Sequence, residues 1–385
     1  MIVTQYCNYL NHHQVLVADE LYRRLGENYH FVATVPRDNQ QLKGGMDYSQ
    51  RPYCLLAAED GRAHQIALEL ARISDVCLFG SNYYEYVVER SKGPKQFCFE
   101  ISERWLKKGW INLLSPAILK NLWIYWKYLH KMKAYKLCQS AFAASDHYKL
   151  HTYVNRCFKW AYFTRVDEDF DVEASPDVST SHITPLMWCS RYLMLKHPEL
   201  PVLLAKKLKD AGYSFRIDMY GEESIGNKSG YPRKKLETLM DDLDVNDCVR
   251  LMGHRPNSEI LEAMRKNEIF LFTSDRNEGW GAVANEAMSN GCVLVGSDEI
   301  GSVPYLVKDG INGLIFRSQS IDSLYEKIKF LLDHPVECKY MSRRGYSDMV
   351  NTWNAKTAVS NLLNLIDDLM NKREVRITEG PCSKS

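Results

Sequence analysis

The sequence lacks the features that mark several large classes of protein. Its 385 residues carry a net charge of only +1, so charge alone gives no general attraction to nucleic acid or membranes. The eleven cysteines include no C-x-x-C pair, and reduced thiols in a reducing, cytoplasmic compartment fit them best. No apolar run approaches the ~20 residues of a membrane span, and no basic stretch followed by an apolar core opens the chain. We therefore expect neither a transmembrane helix nor a signal peptide.

Familiar nucleotide-binding loops are also missing. No G-x-G-x-x-G follows a predicted strand, which disfavours a nicotinamide dinucleotide site, and no P-loop occurs. The acidic run Val166 to Asp171 contains a D-x-D pattern, but it lies away from any predicted strand end. We interpret it as a charged linker and not as a metal site.

What is present is an ordinary globular composition with alternating strands and helices. The hydrophobic content of 45% and charged content of 25% are typical of a soluble domain, and the length allows about two domains at ~150 residues each. Strands alternate with helices in both halves, which predicts parallel sheets. The expected fold class is α/β, with two Rossmann-like domains whose parallel sheets face each other across a cleft.

The predicted boundaries follow from composition and periodicity. Residues 1–165 form the first domain, residues 166–184 the linker and residues 185–352 the second domain. An amphipathic helix at about 353–372 is considered as packing back on the first domain, and residues 373–385 are expected to be a disordered tail. Further strands of the first domain are predicted at Val76 to Phe79, Gln96 to Phe99 and Ser140 to Ala143.

The most informative stretch runs from Phe270 to Phe316 and contains two carboxylates eight positions apart, Glu278 and Glu286. Glu278 falls in a glycine-flanked loop after a strand, and Glu286 falls inside the following helix, off its apolar stripe. Eight helical residues rise ~12 Å, comparable with the distance from ribose to sugar across a diphosphate. Two solvated acids at a helix start are the alternative. The position beyond a strand end favours a site for a phosphorylated polyol.

Two cations stand where the first strand of the second domain enters its loop. Arg191 and Lys196 could hold a diphosphate and stabilise it as it leaves. Exposure to solvent explains the same pair equally well, because most lysines and arginines are exposed.

Candidate acceptor-side residues lie in two loops of the first domain. His12 and His13 follow the first strand, where they either line a cleft or belong to a helix start capped by Asn11; metal binding by adjacent histidines is disfavoured. After a later strand, the residues that could face an acceptor or form local ion pairs are Glu100, Ser102, Glu103 and Arg104.

The segment from Lys95 to Lys136 is basic and rich in aromatic residues. It holds nine lysines and arginines against two acids, with three tryptophans from Trp110 to Trp126. Such a segment is consistent with peripheral contact with an anionic membrane, or with a domain helix that has a solvated face.

Taken together, these motifs resemble the retaining glycosyltransferases of family 4, which have the GT-B fold. The resemblance covers about Pro185 to Pro335 through "SRYLMLK", "MYGEE", "RLMGHR", "EGWGAVANEAM" and "GCVLVGSDEIGSVPYLVKDGINGLIF". The first half is similar more loosely, through "NYLNHHQ", "DVCLFGS" and "SERWLKKG", to members that assemble bacterial polysaccharides.

The resemblance implies roles at the matched positions. Arg191 and Lys196 would bind the donor diphosphate, Glu278 would contact the transferred sugar and Glu286 the ribose. The residues that would present backbone to the sugar and phosphate are Gly279, Trp280 and Gly281, and those that would border the nucleobase run from Gly253 to Arg255. No metal and no cofactor is expected. The chain departs from the family pattern at "LNHHQ", where glycines are common, and at Tyr305, where a glutamate is usual.

These observations predict a retaining, metal-independent, hexosyltransferase-like enzyme. It would move a sugar from a nucleoside diphosphate sugar to a hydroxyl of a glycan or lipid-linked acceptor in cell-surface polysaccharide synthesis. We expect it in the cytoplasm, at the inner face of the plasma membrane, with no nucleic acid partner. A nucleotide-sugar epimerase of the same fold and a catalytically silent donor-binding protein are the alternatives.

Overall fold

The chain divides into two compact units. In the computed structural model, which describes residues 1–36, 47–172, 183–224 and 228–385, one unit comprises residues 1–164 with 353–385, and the other residues 165–352. Most of the predicted linker, residues 173–182, lies outside the described residues.

The first unit is built on a seven-stranded sheet in the order β3-β2-β1-β4-β5-β6-β7, and every pairing is parallel. Its strands are β1 Val3–Cys7, β2 Tyr29–Ala33, β3 Cys54–Leu55, β4 Val76–Phe79, β5 Phe97–Ser102, β6 Lys133–Cys138 and β7 Cys157–Lys159. Its helices are α1 Val15–Leu25, α2 Gly61–Ile73, α3 Tyr84–Lys92, α4 Pro116–Lys127, α5 Ala143–Lys149 and α13 Ala355–Met370. The order reverses between β1 and β4, which is where Rossmann-like sheets open a crevice.

The second unit repeats this plan with six parallel strands in the order β10-β9-β8-β11-β12-β13. Its strands are β8 Thr184–Cys189, β9 Phe215–Tyr220, β10 Val249–Gly253, β11 Ile269–Phe272, β12 Val293–Ser297 and β13 Gly313–Phe316. Its helices are α6 Glu199–Asp210, α7 Arg233–Asp242, α8 Asn257–Arg265, α9 Val283–Ser289, α10 Val303–Leu306, α11 Ile321–Asp333 and α12 Pro335–Asn351. The order reverses between β8 and β11.

Apolar strands buried on both faces explain why these sheets form. In β11 and β12 every residue is buried, as parallel strands covered by helices require. The core of the second unit joins Trp188, Ile217, Leu271 and Val295 to the inner faces of the surrounding helices.

One predicted strand of the first unit is wrong. Residues 140–143 form the turn that leads into α5 and the first residue of that helix, and the strand lies earlier, at Lys133–Cys138. Lys136 hid it, because a fully buried lysine interrupts the apolar pattern of this strand. The lysine is tolerated there because its Nζ is paired with the buried Glu100 on β5.

The acidic segment after residue 164 is attached to the second unit. Asp167 accepts a hydrogen bond from Arg265 at 2.8 Å, and its carbonyl accepts one from the hydroxyl of Tyr346 at 2.6 Å. The ring of Phe170 lies against Tyr346 and beneath the Arg265 guanidinium. The carboxylate of Asp167 is thus ion-paired with Arg265.

The C-terminal residues differ from the expectation of a disordered tail. Helix α13 packs on α1 of the first unit. This is the placement that the apolar stripe of the helix suggested. Beyond it, the amide of Cys382 donates to the carbonyl of Lys159 at 2.7 Å, and Lys384 pairs antiparallel with Phe158. The tail is ordered because β7 is an edge strand whose free backbone groups take up an added segment.

Candidate functional site

The crevice of the second unit lies where the loops after β8 and β11 leave neighbouring strands. These loops carry the basic pair Arg191 and Lys196 and the acidic residue Glu278. Because the carboxyl ends of adjacent parallel strands lie at one edge of the sheet, groups distant in sequence come together here.

Lys196 and Glu278 form an ion pair in this crevice. The Nζ atom of Lys196 is paired with Oε2 of Glu278, 82 positions away, and each side chain is 14% exposed. The hydroxyl of Ser274 donates to the same carboxylate oxygen at 3.1 Å. A cation and an acid predicted to serve one ligand are therefore neighbours.

A hydrogen-bonded chain joins the two loops. The indole of Trp188 donates to Oγ1 of Thr273 at 2.9 Å, and that hydroxyl donates to the carbonyl of Lys196 at 2.7 Å. The amide of Asp275 donates to the carbonyl of Leu195 at 3.0 Å. These bonds fix the position of Lys196 relative to the loop that carries Glu278.

His197 adds an electrostatic link that the sequence analysis missed. It has a left-handed backbone with φ of 49°, its Nδ1 lies 2.8 Å from Glu199 Oε1 and its Nε2 lies 3.4 Å from Asp275 Oδ2. The hydrogen bonds to Asp275 and then to Glu199 raise the pKa of His197 to about 9. The imidazolium thus ties the Lys196 loop to the Glu278 loop at neutral pH.

Gly281 is required by the local geometry. Its φ is +82°, and a Cβ there would lie 2.2 Å from Cζ of Phe272 and 3.3 Å from Cγ of Glu278. Only glycine combines this backbone with this close approach. The chain can therefore turn tightly from Glu278 into α9, which carries Glu286.

The ring of Trp280 is a core element. Its side chain is fully buried, and its indole donates to Oδ1 of Asn285 at 2.8 Å. Tyr305 stands where a glutamate is usual, and its ring centroid lies 6.0 Å from that of Trp280. Of the three residues predicted to contact a ligand through backbone, Gly279 and Trp280 are buried and Gly281 is half-buried.

Glu286 lies half-buried on α9, close to the end of β8. Burial raises the pKa of its carboxyl to about 7, and a hydrogen bond with Asn257 opposes the rise. The thiol of Cys189 lies within electrostatic range of both Glu286 and Lys196: burial raises its pKa to about 12, Glu286 adds to the rise and Lys196 opposes it. The charges of Lys196 and Glu286 thus both act on the thiol of Cys189, the last residue of β8.

The remaining predicted donor-side residues are less constrained. Arg191 is exposed and forms no ion pair with any residue that the structure describes. Gly253, with φ of +72°, ends β10 and accepts a hydrogen bond from the amide of Gly221 at 2.9 Å. Arg255 is exposed, 3.9 Å from Glu259, beside a cavity of about 260 Å³.

A second crevice, of about 330 Å³, opens at the carboxyl end of the first unit's sheet. Its walls come from the ends of β1, β4, β5 and β6 and from residues 160–163. His13 and Glu103, two of the candidate acceptor-side residues, line this crevice, whereas His12 is exposed and lies outside its lining.

His13 is held as a neutral ring. Its amide donates to Oδ1 of Asn11 at 2.9 Å, and its ring centroid lies 5.2 Å from that of Tyr162. Burial, and then the neighbouring His12, lower the pKa of His13 to about 4. Beside it, the side-chain amide of Gln14 donates to the sulfur of Cys7 at 2.8 Å.

Two residues considered for the acceptor side have structural partners. Arg104 donates to both carboxylate oxygens of Asp146, at 3.1 and 3.2 Å, and Asp146 also accepts from the amide of Leu106. Glu100 is buried against Lys136. Arg104 and Glu100 therefore form ion pairs, which is one of the two alternatives left open by the sequence, and the partner of each lies far away in sequence.

Two features are absent from the described residues. No group of three or more histidine, cysteine or acidic side chains there is arranged to hold a metal ion. None of the helices in the described ranges combines the length and apolar character needed to cross a bilayer.

Comparison with known proteins points to one superfamily. Residues 187–348 match the family model of glycosyl transferases group 1. The chain is similar to the D-inositol 3-phosphate glycosyltransferase of Corynebacterium aurimucosum, with 27% identity over 40% of this chain and 35% of that protein. It is also similar to the amylovoran biosynthesis glycosyltransferase AmsK of Erwinia amylovora, with 33% identity over 28% of this chain and 25% of that protein. The chain thus spans about a third or less of the length of these two relatives.

The solved structure of Anabaena Alr3699/HepE in complex with UDP has a similar fold. The TM-score is 0.68 over 96% of this chain and 100% of that chain, with 13% sequence identity. The structure of WaaG, a glycosyltransferase involved in lipopolysaccharide biosynthesis, gives a TM-score of 0.58 with 11% identity, over 95% of this chain and 99% of that chain. The two units are therefore Rossmann-like domains of the GT-B fold, and residues 187–348 carry the similarity to the glycosyltransferase superfamily.

Proposed function

We propose that the protein is a glycosyltransferase that moves a sugar from a nucleoside diphosphate sugar to a hydroxyl acceptor. The observation that carries the proposal is the Lys196–Glu278 ion pair at the switch point of the second unit, with Glu286 on the adjoining helix. These three charged side chains lie at the edge of the sheet where α/β domains bind nucleotides. The relatives with sequence similarity are glycosyltransferases, and HepE binds UDP.

The ion pair has a specific part in donor binding. Without ligand, Lys196 and Glu278 neutralise each other in a site that is mostly shielded from water. A bound diphosphate would offer Lys196 a more highly charged partner, and the exposed Arg191 would supply a second cation. Glu278 would then be released to accept hydrogen bonds from sugar hydroxyls, while Ser274 keeps its carboxylate in place.

Glu286 would bind the other end of the donor. A carboxylate accepts hydrogen bonds from both ribose hydroxyls only when it is ionised, and the pKa of this carboxyl is about 7. The short segment from Glu278 through Gly281 to α9 sets the spacing between the two acids. We expect the nucleobase to lie near Gly253 and Arg255.

The transfer itself breaks the bond between the anomeric carbon and the diphosphate oxygen. A new bond to the acceptor oxygen forms on the same face of the sugar, with retention of configuration. The acceptor proton passes to the leaving phosphate oxygen, whose negative charge Lys196 and Arg191 stabilise. We expect these side chains to suffice without a metal, so that activity persists in the presence of EDTA.

The crevice of the first unit favours a neutral acceptor. Among its described lining residues the one charged side chain is Glu103, and no lysine or arginine contributes. Amide, hydroxyl and aromatic groups dominate the walls, including Gln5, Gln139, Trp160 and Tyr162. Such a lining suits the hydroxyls and apolar faces of a saccharide better than a phosphate. A glycan in cytoplasmic polysaccharide synthesis is the acceptor we propose.

The test is a thermal-shift screen of nucleoside diphosphate sugars, followed by transfer assays on saccharide acceptors. A donor at 100 times its Kd adds about 2.7 kcal/mol to the free energy of unfolding. Product with retained anomeric configuration would support the proposal. Donor converted to its epimer without acceptor would contradict it, as would tight donor binding with no transfer to any saccharide.

A further inference from the structure

One face of the first unit exposes large apolar side chains in unusual density. We call it the tryptophan face, and its members are Trp110, Ile111, Leu114, Leu119, Trp123 and Trp126. Their exposed fractions range from 45% for Trp123 to 80% for Leu114. They come from a 3₁₀ turn, Gly109–Leu114, and from α4, and these two elements contact each other. Exposed apolar clusters of this kind mark interaction sites.

Helix α4 has an inner and an outer apolar side. Ile124 and Tyr125 are buried in the core of the unit. Leu119, Trp123 and Trp126 follow the i, i+4, i+7 spacing of one helical stripe, and all three are exposed. The inner side is part of the core. On the outer stripe the ring of Trp123 contacts Tyr84 and that of Trp126 contacts His130, yet 45% and 48% of these two tryptophans remain exposed.

The segment that forms this face carries surplus charge of one sign. From residue 104 to residue 145 the sequence contains no aspartate or glutamate. Of its cations, Arg104, Lys107 and Lys136 are paired with carboxylates inside the unit. The exposed lysines of the segment are Lys108, Lys120, Lys127, Lys131 and Lys133.

Lysine and tryptophan are in direct contact within the face. The ammonium of Lys127 lies 4.5 Å from the centroid of the Trp123 ring. Tryptophan prefers the boundary between headgroups and acyl chains, and lysine can lay its stem on apolar surface while its charge reaches the phosphates.

We propose that the tryptophan face docks on an anionic membrane surface, with its apolar side chains entering the interface and its lysines contacting lipid phosphates. A second copy of the chain is a poorer occupant. In a two-fold dimer the same lysines would face each other without carboxylates from this segment to offset them. The lipid surface supplies both an apolar layer and the opposite charge.

Docking of the tryptophan face would also position the crevice of the first unit near the membrane, an inference that rests on the proposed function. Glu103 lines the crevice of the first unit, and five residues separate it from Gly109, where the 3₁₀ turn begins. Six residue steps reach at most about 20 Å. Docking would therefore hold the crevice within reach of an acceptor carried by a membrane lipid.

The test is flotation of the full chain with phosphatidylcholine vesicles, with and without phosphatidylglycerol. We expect binding only to the anionic vesicles, weakening as salt is raised. Joint substitution of Lys120→Gln and Lys127→Gln should weaken partitioning roughly 25-fold, since each surface cation contributes a factor of about five. Joint substitution of Trp123→Ser and Trp126→Ser should weaken it at least ~10-fold.

The matched control is the pair Tyr148→Ser and Lys149→Gln, an exposed aromatic and an exposed lysine on α5 of the same unit. It should bind vesicles as the unaltered chain does. Melting temperature and donor-induced thermal shift should be unchanged in all these variants, so loss of vesicle binding is separable from loss of fold or of donor binding. The proposal would be overturned if the chain bound neutral and anionic vesicles equally, or bound neither kind of vesicle. It would also be overturned if the chain formed a dimer that the tryptophan substitutions dissociate.

Discussion

Lys196 and Glu278 are ion-paired across the loops that leave β8 and β11, at the point where the strand order of the second unit reverses. Each side chain neutralises the charge of the other. Loss of either residue therefore leaves an uncompensated charge in a crevice that is mostly shielded from water.

Replacing Lys196 with alanine should lower kcat/KM for transfer by roughly 100-fold or more, because a fixed cation beside a leaving diphosphate contributes ~3–4 kcal/mol to the barrier. Steady-state kinetics with the identified donor measures this. The control is Lys206→Ala on α6, an exposed lysine paired with Asp210. An unchanged kcat/KM in the Lys196→Ala variant would show that this residue does not stabilise the leaving diphosphate.

Replacing His197 with asparagine should make stability less dependent on pH, since asparagine tolerates the left-handed backbone but cannot carry the charge. The folded-state pKa of about 9 lies above the ordinary 6.5. The stability that His197 contributes is thus fully present below pH 6.5 and is lost as pH rises through 9. Chemical denaturation from pH 6 to pH 10 should show the two proteins converging at high pH. Parallel curves would contradict the assigned pairing with Asp275 and Glu199.

Glu286 should give a pH dependence of the same sign as His197, but at lower pH. Its folded-state pKa of about 7 lies above the ordinary 4.5, so the folded state holds the proton more tightly. The free energy of unfolding should fall between pH 4.5 and pH 7 relative to Glu286→Gln. Donor affinity should rise over the same range in the unaltered protein, because ribose binding requires the ionised carboxylate, and calorimetric titration measures it. A Glu286→Gln variant with unchanged donor affinity at pH 8 would exclude the ribose role.

Gly281→Ala should destabilise the second unit more than Gly310→Ala. Both glycines have positive φ, +82° and +77°, but a Cβ at Gly310 meets no atom within 4 Å. Backbone strain costs each variant about 1–2 kcal/mol, and the clash with Phe272 should add about 1–3 kcal/mol at Gly281 alone. Urea denaturation of the two variants measures the difference. Equal losses would mean that Phe272 moves aside freely.

Arg104→Met should lower the free energy of unfolding by about 3–5 kcal/mol, because it leaves Asp146 buried without its cation. Glu103→Gln, one position earlier and lining the crevice, should change stability little while altering the KM for the acceptor. Denaturation and acceptor titration of both variants separate a structural from a binding role. A stable Arg104→Met protein with impaired acceptor binding would reverse the two assignments.

The sequence alone was enough to predict the alternation of strands and helices, the two domains and the position of both acids relative to a strand end. Local periodicity and the glycine-flanked loop carry that information, because they depend on neighbours within a few turns of chain. The spacing of Glu278 and Glu286 is of this kind, and so is the helix of residues 355–370.

Only the tertiary structure decided which charges are partners. Glu100 meets Lys136, Arg104 meets Asp146 and Lys196 meets Glu278, over separations of 36, 42 and 82 positions. No local pattern encodes such pairs, since they depend on which strands become neighbours in the sheet. Because of the strand order, the candidate acceptor residues Glu100 and Arg104 each form an ion pair within the first unit. The strand order of the second unit likewise brings Lys196 into contact with Glu278.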